Sequence, residues 1–198
     1  MGYKFNEYTL LKEIGRGASG SVWLAMSSKG LYYAIKKVSR DDIGDEAYIR
    51  EMRGISSYAS LAWYNGLVPV YDFWEDSEAG QFYCVMALAD DEKHERSITP
   101  ETYKPKTLAS IISSRVALTL EECVSVAKII LNAMMYLQKN HIIHRDIKPG
   151  NILIINGEPV LTDFGLAIDF REANSIVGTP GYVPPENHGT VQGDIYSL

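Results

Sequence analysis

The sequence predicts an α+β fold in which a small antiparallel β unit carrying one helix precedes a mainly helical unit. Three observations predict it. Short β-branched and aromatic runs separated by glycine-containing turns fill most of the first ninety residues, a capped helical period occupies residues 119 to 140, and a polar stretch ending in Pro100 and Pro105 divides the two. They set three segments: 1–89, 90–106 and 107–198.

The first strands fall at Tyr8 to Ile14, Val22 to Met26 and Leu31 to Val38, and read as an antiparallel meander. Residues 41 to 57 then change period. Ile43, Ala47, Ile49 or Arg50, and Ile55 recur at imperfect helical spacing, so one helix interrupts the sheet. Strand signals return at Leu67 to Trp74 and Gln81 to Ala87, joined by the polar turn Glu75 to Gly80. The charge run Asp90 to Arg96 is read as an exposed, solvated insertion between the two units. Beyond it, Leu108 to Ile112 predicts a short helix. Thr119 and Glu122 form a capping box for a long one, with Cys123, Val126, Ala127, Ile130, Met134 and Leu137 on one face. Strand-like runs follow at Ile152 to Ile155 and Pro159 to Leu161.

Composition narrows the function classes. Hydrophobic residues make up 46% and charged residues 22%, which excludes a disordered or collagen-like chain. Nineteen Lys plus Arg against 25 Asp plus Glu give a net charge of -6, so no nucleic-acid partner is expected and any phosphate chemistry must be local. Cys84 and Cys123 lack metal-ligand spacing and are expected to be small core residues in a reduced, cytoplasmic setting. Apolar runs are far shorter than the roughly 20 residues that span a bilayer, so no membrane contact is expected from this segment.

Five motifs carry chemistry. Gly15, Gly17 and Gly20 form a GxGxxG pattern before Val22, which is weak by itself because glycine turns recur in hairpins. The pattern runs on into a strand rather than a helix, which excludes a dinucleotide-binding turn. What remains is a hairpin whose bare backbone can close over phosphates. On the next strand, Ala34 and Lys36 share a face, a small residue leaving room for a flat base beside a charge. Lys37 reads as a solvated edge residue. Glu51, in the helical stretch, is the expected partner of Lys36; Glu46 is the fallback, closer to the strand's end and a poorer fit to the helix register. The strongest signal is His144-Arg145-Asp146-Ile147-Lys148-Pro149-Gly150-Asn151, followed by Asp163-Phe164-Gly165 and by Gly178-Thr179-Pro180-Gly181 leading to Pro185-Glu186. Each tripeptide could arise by chance; the ordered series could not.

In that order the motifs resemble the eukaryotic-type (Hanks-type) serine/threonine protein kinases, from about Tyr8 to Leu198. The resemblance implies a small β lobe, a mainly helical large lobe with the active site between them, and transfer of the γ-phosphoryl group of ATP to protein Ser or Thr hydroxyls. Lys148, two places after Asp146, together with Thr179, marks the serine/threonine branch. By the same resemblance Asp146 orients the substrate hydroxyl and accepts its proton, and Lys148 neutralises the phosphoryl group in transfer. Lys36, held by Glu51, contacts the α- and β-phosphates, and Asn151 and Asp163 hold Mg²⁺.

The resemblance also implies that Met86 stands behind the adenine, that the backbones of Ala87 and Ala89 bond the base, and that Val22, Ala34 and Leu153 sandwich it. Val70, Ile55, Phe164 and His144 are expected to stack as a spine, which makes His144 a packed core residue. Ser175 is the expected activation-loop phosphosite, pairing with Arg145. Asp194 is expected to bind backbone near the catalytic loop. The family's domain continues past Leu198, so the large lobe is expected to be incomplete here, its long helix partly uncovered and prone to self-association. A nucleotide-binding or interaction module without turnover is the alternative reading.

Overall fold

A computed structural model describes residues 3–5, 7–93, 98–115, 117–169, 178–185 and 190–198. Strands β1 (Tyr3–Phe5), β2 (Tyr8–Gly17), β3 (Gly20–Ser27) and β4 (Tyr32–Ser39) are successive antiparallel neighbours. Helices α1 (Arg40–Ile43) and α2 (Asp45–Ala59) follow, then β5 (Val70–Asp76) and β6 (Gln81–Met86). The sheet has six strands in the order β1-β2-β3-β4-β6-β5, and β1 lies outside the sequence expectation. The expected meander of the first three long strands holds as β2-β3-β4, and the sheet leaves sequence order only beyond it, where β6 sits between β4 and β5. The reason lies in composition. Phe82, Tyr83, Cys84 and Val85 are all buried, so β6 needs cover on both faces, whereas β5 exposes Tyr71 and Asp72 and tolerates an edge.

Alternation along β6 feeds two cores. Tyr83 and Val85 join Tyr8, Leu10, Ala25 and Ile35 on one face; Phe82 and Cys84 join Val38, Tyr48, Ile55 and Tyr58 on the other, under α2. Lys37, expected at a solvated edge, instead lies on the interior strand β4 and is half-buried. The buried face of α2 is Tyr48, Glu51, Gly54, Ile55 and Tyr58; of the expected apolar series only Ile55 is buried, and Ile49 is exposed. Two tyrosines and a glutamate supply most of its buried side chains, which a count of aliphatic residues misses.

The helical part contains α3 (Leu108–Ser114) and α4 (Leu120–Lys139), each opened by a capping box, Thr107 with Ser110 and Thr119 with Glu122. Two antiparallel pairs follow, formed by β7 (Ile142–Ile143) with β10 (Ile168–Asp169) and by β8 (Ile152–Ile155) with β9 (Glu158–Leu161). Helix α5 spans Val191–Ser197. Helix α4 packs on β7 and β9 and buries Ile130, Ala133, Met134 and Leu137. Cys123, expected in the core, is exposed because the first turns of α4 lie outside this packing, and Cys84 alone of the two is buried. Leu120, Val124, Leu131 and Met135 on α4 are exposed.

Where residues 90 to 106 are described, Glu92, Lys93, Glu101, Thr102 and Lys104 are exposed as expected, but the segment is also pinned to the helical part. The Asp90 N–H donates to the Ile154 carbonyl and the Lys106 N–H donates back to the Asp90 carbonyl, both at 2.8 Å. The Asp90 carboxylate accepts from the Asn156 and Gly157 N–H groups at 2.9 Å, gripping the β8–β9 turn. Asp91 and Tyr103 are each only 1% exposed. Within the charge run, residues 94–97 lie outside the described residues. Among the described residues no helix is long and apolar enough to cross a membrane.

Candidate active site

A cleft of about 400 Å³ opens between the sheet and the α3–β8–β9 region. Its roof is the β2–β3 hairpin. Gly20, at φ 138°, closes the turn so tightly that a Cβ would run into the Lys37 carbonyl, whereas at the cleft border a Cβ on Gly15 would only touch Val22 and one on Gly17 would meet open space. Val22 and Ala34 line the roof behind them, Met86 the back, and Ala87 and Ala89 the strand exit; Leu153 lies on the floor.

Lys36 is paired across the sheet with Val22 on β3 and Cys84 on β6, so its ammonium group enters the cleft from a fixed strand. Nζ lies 3.1 Å from Glu51 Oε2 on α2 and 2.6 Å from Asp163 Oδ1, which makes Lys36 the bridge between helix and loop. Glu51 is therefore the partner, and Glu46 is exposed. Burial opposes the charge on Lys36, but the carboxylates of Asp163 and Glu51 outweigh it and raise its pKa. Lys36 holds Asp163 below the ordinary carboxylate range. Burial pushes Glu51 up despite the lysine. The ensemble keeps a cation fixed at the cleft wall.

On the opposite wall Asp146 accepts from three donors. Lys148 Nζ and Asn151 Nδ2 both reach Oδ2 at 2.8 Å, and the Thr179 hydroxyl donates to Oδ1. Lys148 Nζ also contacts Thr179 Oγ1 at 2.7 Å. A hydroxyl is thus already seated against the candidate base, in the place where another hydroxyl could be oriented. Asn151 spends its amide hydrogens on Asp146, on both carboxylate and carbonyl, which leaves its amide oxygen as an acceptor. Its carbonyl accepts from the Thr162 N–H at 2.9 Å, tying the catalytic loop to the segment that carries Asp163. Asp163 engages Lys36 through one oxygen and its side chain is 41% exposed toward the cleft. An amide oxygen and a carboxylate oxygen are the hard donors that suit Mg²⁺, so these two residues fit that ion.

The backbone is held to unusual angles here. Arg145 and Asp163 both take positive φ, 68° and 64°. Asp194 supports the first: its carboxylate accepts the His144 and Arg145 N–H groups at 2.7 Å each, as expected. Phe164 stacks on Tyr58 and meets His144 edge-on at 4.8 Å, and Ile55 and Val70 complete the same core. His144 is fully buried, with Nε2 3.0 Å from the Thr162 carbonyl, and burial lowers its pKa. Gly165 lies under Glu51, where a Cβ would overlap the carboxylate.

The expected residues therefore gather, except that Ser175 lies outside the described residues, as does Glu186. Arg145 binds the Leu166 carbonyl through Nε at 2.7 Å. Sequence reasoning missed Tyr58, which sits two turns past Glu51 on the same helix face. It also missed Tyr103, which lines the cleft, and Lys12, which donates to the Tyr103 carbonyl at 3.1 Å across 91 residues of chain and so leaves no local pattern.

Comparison with known proteins bears on this site. The protein kinase domain family matches residues 8–198. Serine/threonine-protein kinase PrkC of Bacillus subtilis is 31% identical over 202 residues, covering 96% of this chain and 29% of the relative. Serine/threonine-protein kinases drp72 of Corynebacterium efficiens is 29% identical over 204 residues, covering 97% and 37%. Probable serine/threonine-protein kinase PknB of Bifidobacterium longum is 30% identical over 203 residues, covering 96% and 28%. The chain thus spans well under half the length of these relatives.

Proposed function

Because the chain belongs to the eukaryotic-type protein kinase family, we propose that it transfers the γ-phosphoryl group of ATP to serine or threonine hydroxyls of protein substrates. One observation carries the reading. A cation held by two acids (Lys36 with Glu51 and Asp163) faces an Asp146–Lys148–Asn151 cluster across a single cleft.

Phosphoryl transfer spreads negative charge over the equatorial oxygens and needs the attacking and leaving oxygens in line, so the protein's part is positioning and charge stabilisation. Lys36 binds the phosphates nearest the base, kept in place by Glu51. Asp146 orients the incoming hydroxyl and takes its proton, at the atoms now bonded by Thr179. Lys148, on the same carboxylate, offsets charge on the group in flight. Asn151 and Asp163 would hold Mg²⁺, which when bound neutralises charge between the β- and γ-phosphates. Ala87 and Ala89 hold the base by backbone groups, with Val22, Ala34 and Leu153 on its faces. Phosphorylation of Ser175, pairing with Arg145, is the proposed control over this arrangement.

The test is transfer of labelled γ-phosphate from ATP to a generic basic protein substrate, with and without Mg²⁺. Wild-type protein is expected to label the substrate only with the metal, and Asp163→Asn to abolish that labelling. Metal-independent labelling, or full activity in Asp163→Asn, would overturn the assignment. Tight nucleotide binding without any transfer would favour the binding-module reading.

A further inference from the structure

We propose that Lys12 is a strap across the outer mouth of the cleft, a positioning residue that ties roof to floor and so sets how fast nucleotide enters and leaves. The proposal rests on reading the cleft as the ATP site.

The roof end of the strap is β2, which carries Lys12 just before Ile14, where the strand begins to line the cleft. Lys12 Nζ donates to the carbonyls of Glu101 and Tyr103 at 3.0 and 3.1 Å, across 89 and 91 residues of chain. Both carbonyls are open to it because the local turn is closed on another acceptor: the Thr99 carbonyl takes the Thr102 and Tyr103 N–H groups at 3.1 and 2.8 Å. The segment that bears them is bound to the floor and to the strand exit. The Ile154 N–H on β8 donates to the Lys106 carbonyl at 3.0 Å, the Glu92 N–H to the Lys104 carbonyl at 2.9 Å, and the Tyr103 hydroxyl to the Ala89 carbonyl at 3.0 Å. Tyr103 and Pro105 themselves line the cleft, so the anchor of the strap is part of its wall.

Two lysines therefore join roof to floor. Lys36 on β4 reaches Asp163 beside the catalytic groups, and Lys12 on β2 reaches Glu101 and Tyr103 at the mouth. Lys36 is buried between carboxylates, whereas Lys12 holds neutral carbonyls, one of them in an exposed bond, so Lys12 is the tie that opens first. Nucleotide must pass the mouth in both directions. Weakening the strap raises the fraction of open clefts, so entry and exit accelerate together and their ratio, the dissociation constant, holds.

The experiment follows the Mg²⁺ complex of N-methylanthraniloyl ATP by stopped-flow fluorescence in wild type, Lys12→Met and Lys12→Arg, with urea midpoints reporting folding. Lys12→Met is expected to raise the association and dissociation rate constants each by roughly tenfold, the size of one net hydrogen bond. Lys12→Arg, which keeps the donors, should return both toward wild type. Unchanged rates in folded Lys12→Met overturn the proposal. So does faster exit without faster entry, which is what a looser fold or a lost nucleotide contact would produce. Should Lys12→Met not fold, Lys12→Gln, too short to reach both carbonyls, must raise both rates in its place.

If wild type binds no nucleotide, the ATP-site reading falls, and the strap is then judged by thiol labelling. The chain has two cysteines: Cys84 is buried and lines the cleft, and Cys123 is exposed. Methyl methanethiosulfonate is expected to modify Cys84 roughly tenfold faster in Lys12→Met than in wild type, with Cys123 unchanged. Equal Cys84 rates would remove the strap whatever the cleft binds.

Discussion

The carboxylate of Glu51 occupies the space over Gly165 that a side chain would fill. The absence of a Cβ at position 165 is what lets helix α2 approach the Phe164–Leu166 turn closely enough for Glu51 to reach Lys36. Gly165→Ala is therefore expected to push Glu51 out of reach of Nζ. Since removing one partner of a buried ion pair typically costs about 3–5 kcal/mol, the variant should melt well below wild type and lose most of its phosphoryl transfer. Wild-type activity in a folded Gly165→Ala protein would show that the Lys36–Glu51 contact is dispensable.

Lys36 and Glu51 should also be coupled energetically. Lys36→Met alone leaves Glu51 buried without its cation, whereas Lys36→Met with Glu51→Leu removes both charges. The double variant is expected to be more stable than Lys36→Met by about 1–3 kcal/mol in urea melts, the range seen for directly coupled sites. Both proteins should be inactive in transfer. Simple additivity of the two single changes would contradict the contact.

Asp194 holds two backbone N–H groups, those of His144 and Arg145, and with them the positive φ of Arg145. Asp194→Ala orphans both donors in a buried place, at about 1–3 kcal/mol each. Transfer should fall more steeply than stability, because the same turn aims Asp146. Asp194→Asn, which keeps one acceptor oxygen, should recover part of both losses.

His144 predicts a pH dependence. With a neutral ring, Nε2–H donates to the Thr162 carbonyl and Nδ1 accepts the Asp146 N–H at 3.3 Å, so both nitrogens are used. Burial lowers the folded-state pKa below its unfolded value of about 6.5. Below that value the unfolded chain binds the proton first, so stability falls as pH drops through the ordinary histidine range and is regained above it. Urea midpoints at pH 5.5 and 7.5 should differ in that sense, and His144→Phe should flatten the difference. An equal pH response in the variant would place the effect elsewhere.

Much of this was legible in the chain. The capping box at Thr119 and Glu122, the glycine hairpin before Val22, and the ordered series from His144 to Gly165 are local, and local patterns survive translation into three dimensions because backbone geometry and capping act over a few residues. The α2 face was legible only at Glu51 and Ile55, because Tyr48 and Tyr58 owe their burial to partners from β6 and the Phe164 turn. Cys123 was misread for the converse reason: its helical period is correct, yet among the described residues no element covers that turn.

The sequence by itself determined which chemical groups the protein has for handling phosphate, and their order along the chain, because those groups sit in short motifs. Only the tertiary structure decided that Lys36 bridges Glu51 and Asp163 together, that β6 lies inside the sheet, and that the segment bearing Tyr103 is buried against the cleft. Each of these depends on groups far apart in the chain meeting in a desolvated place, where burial and hydrogen-bond geometry select one partner from several that the sequence allows.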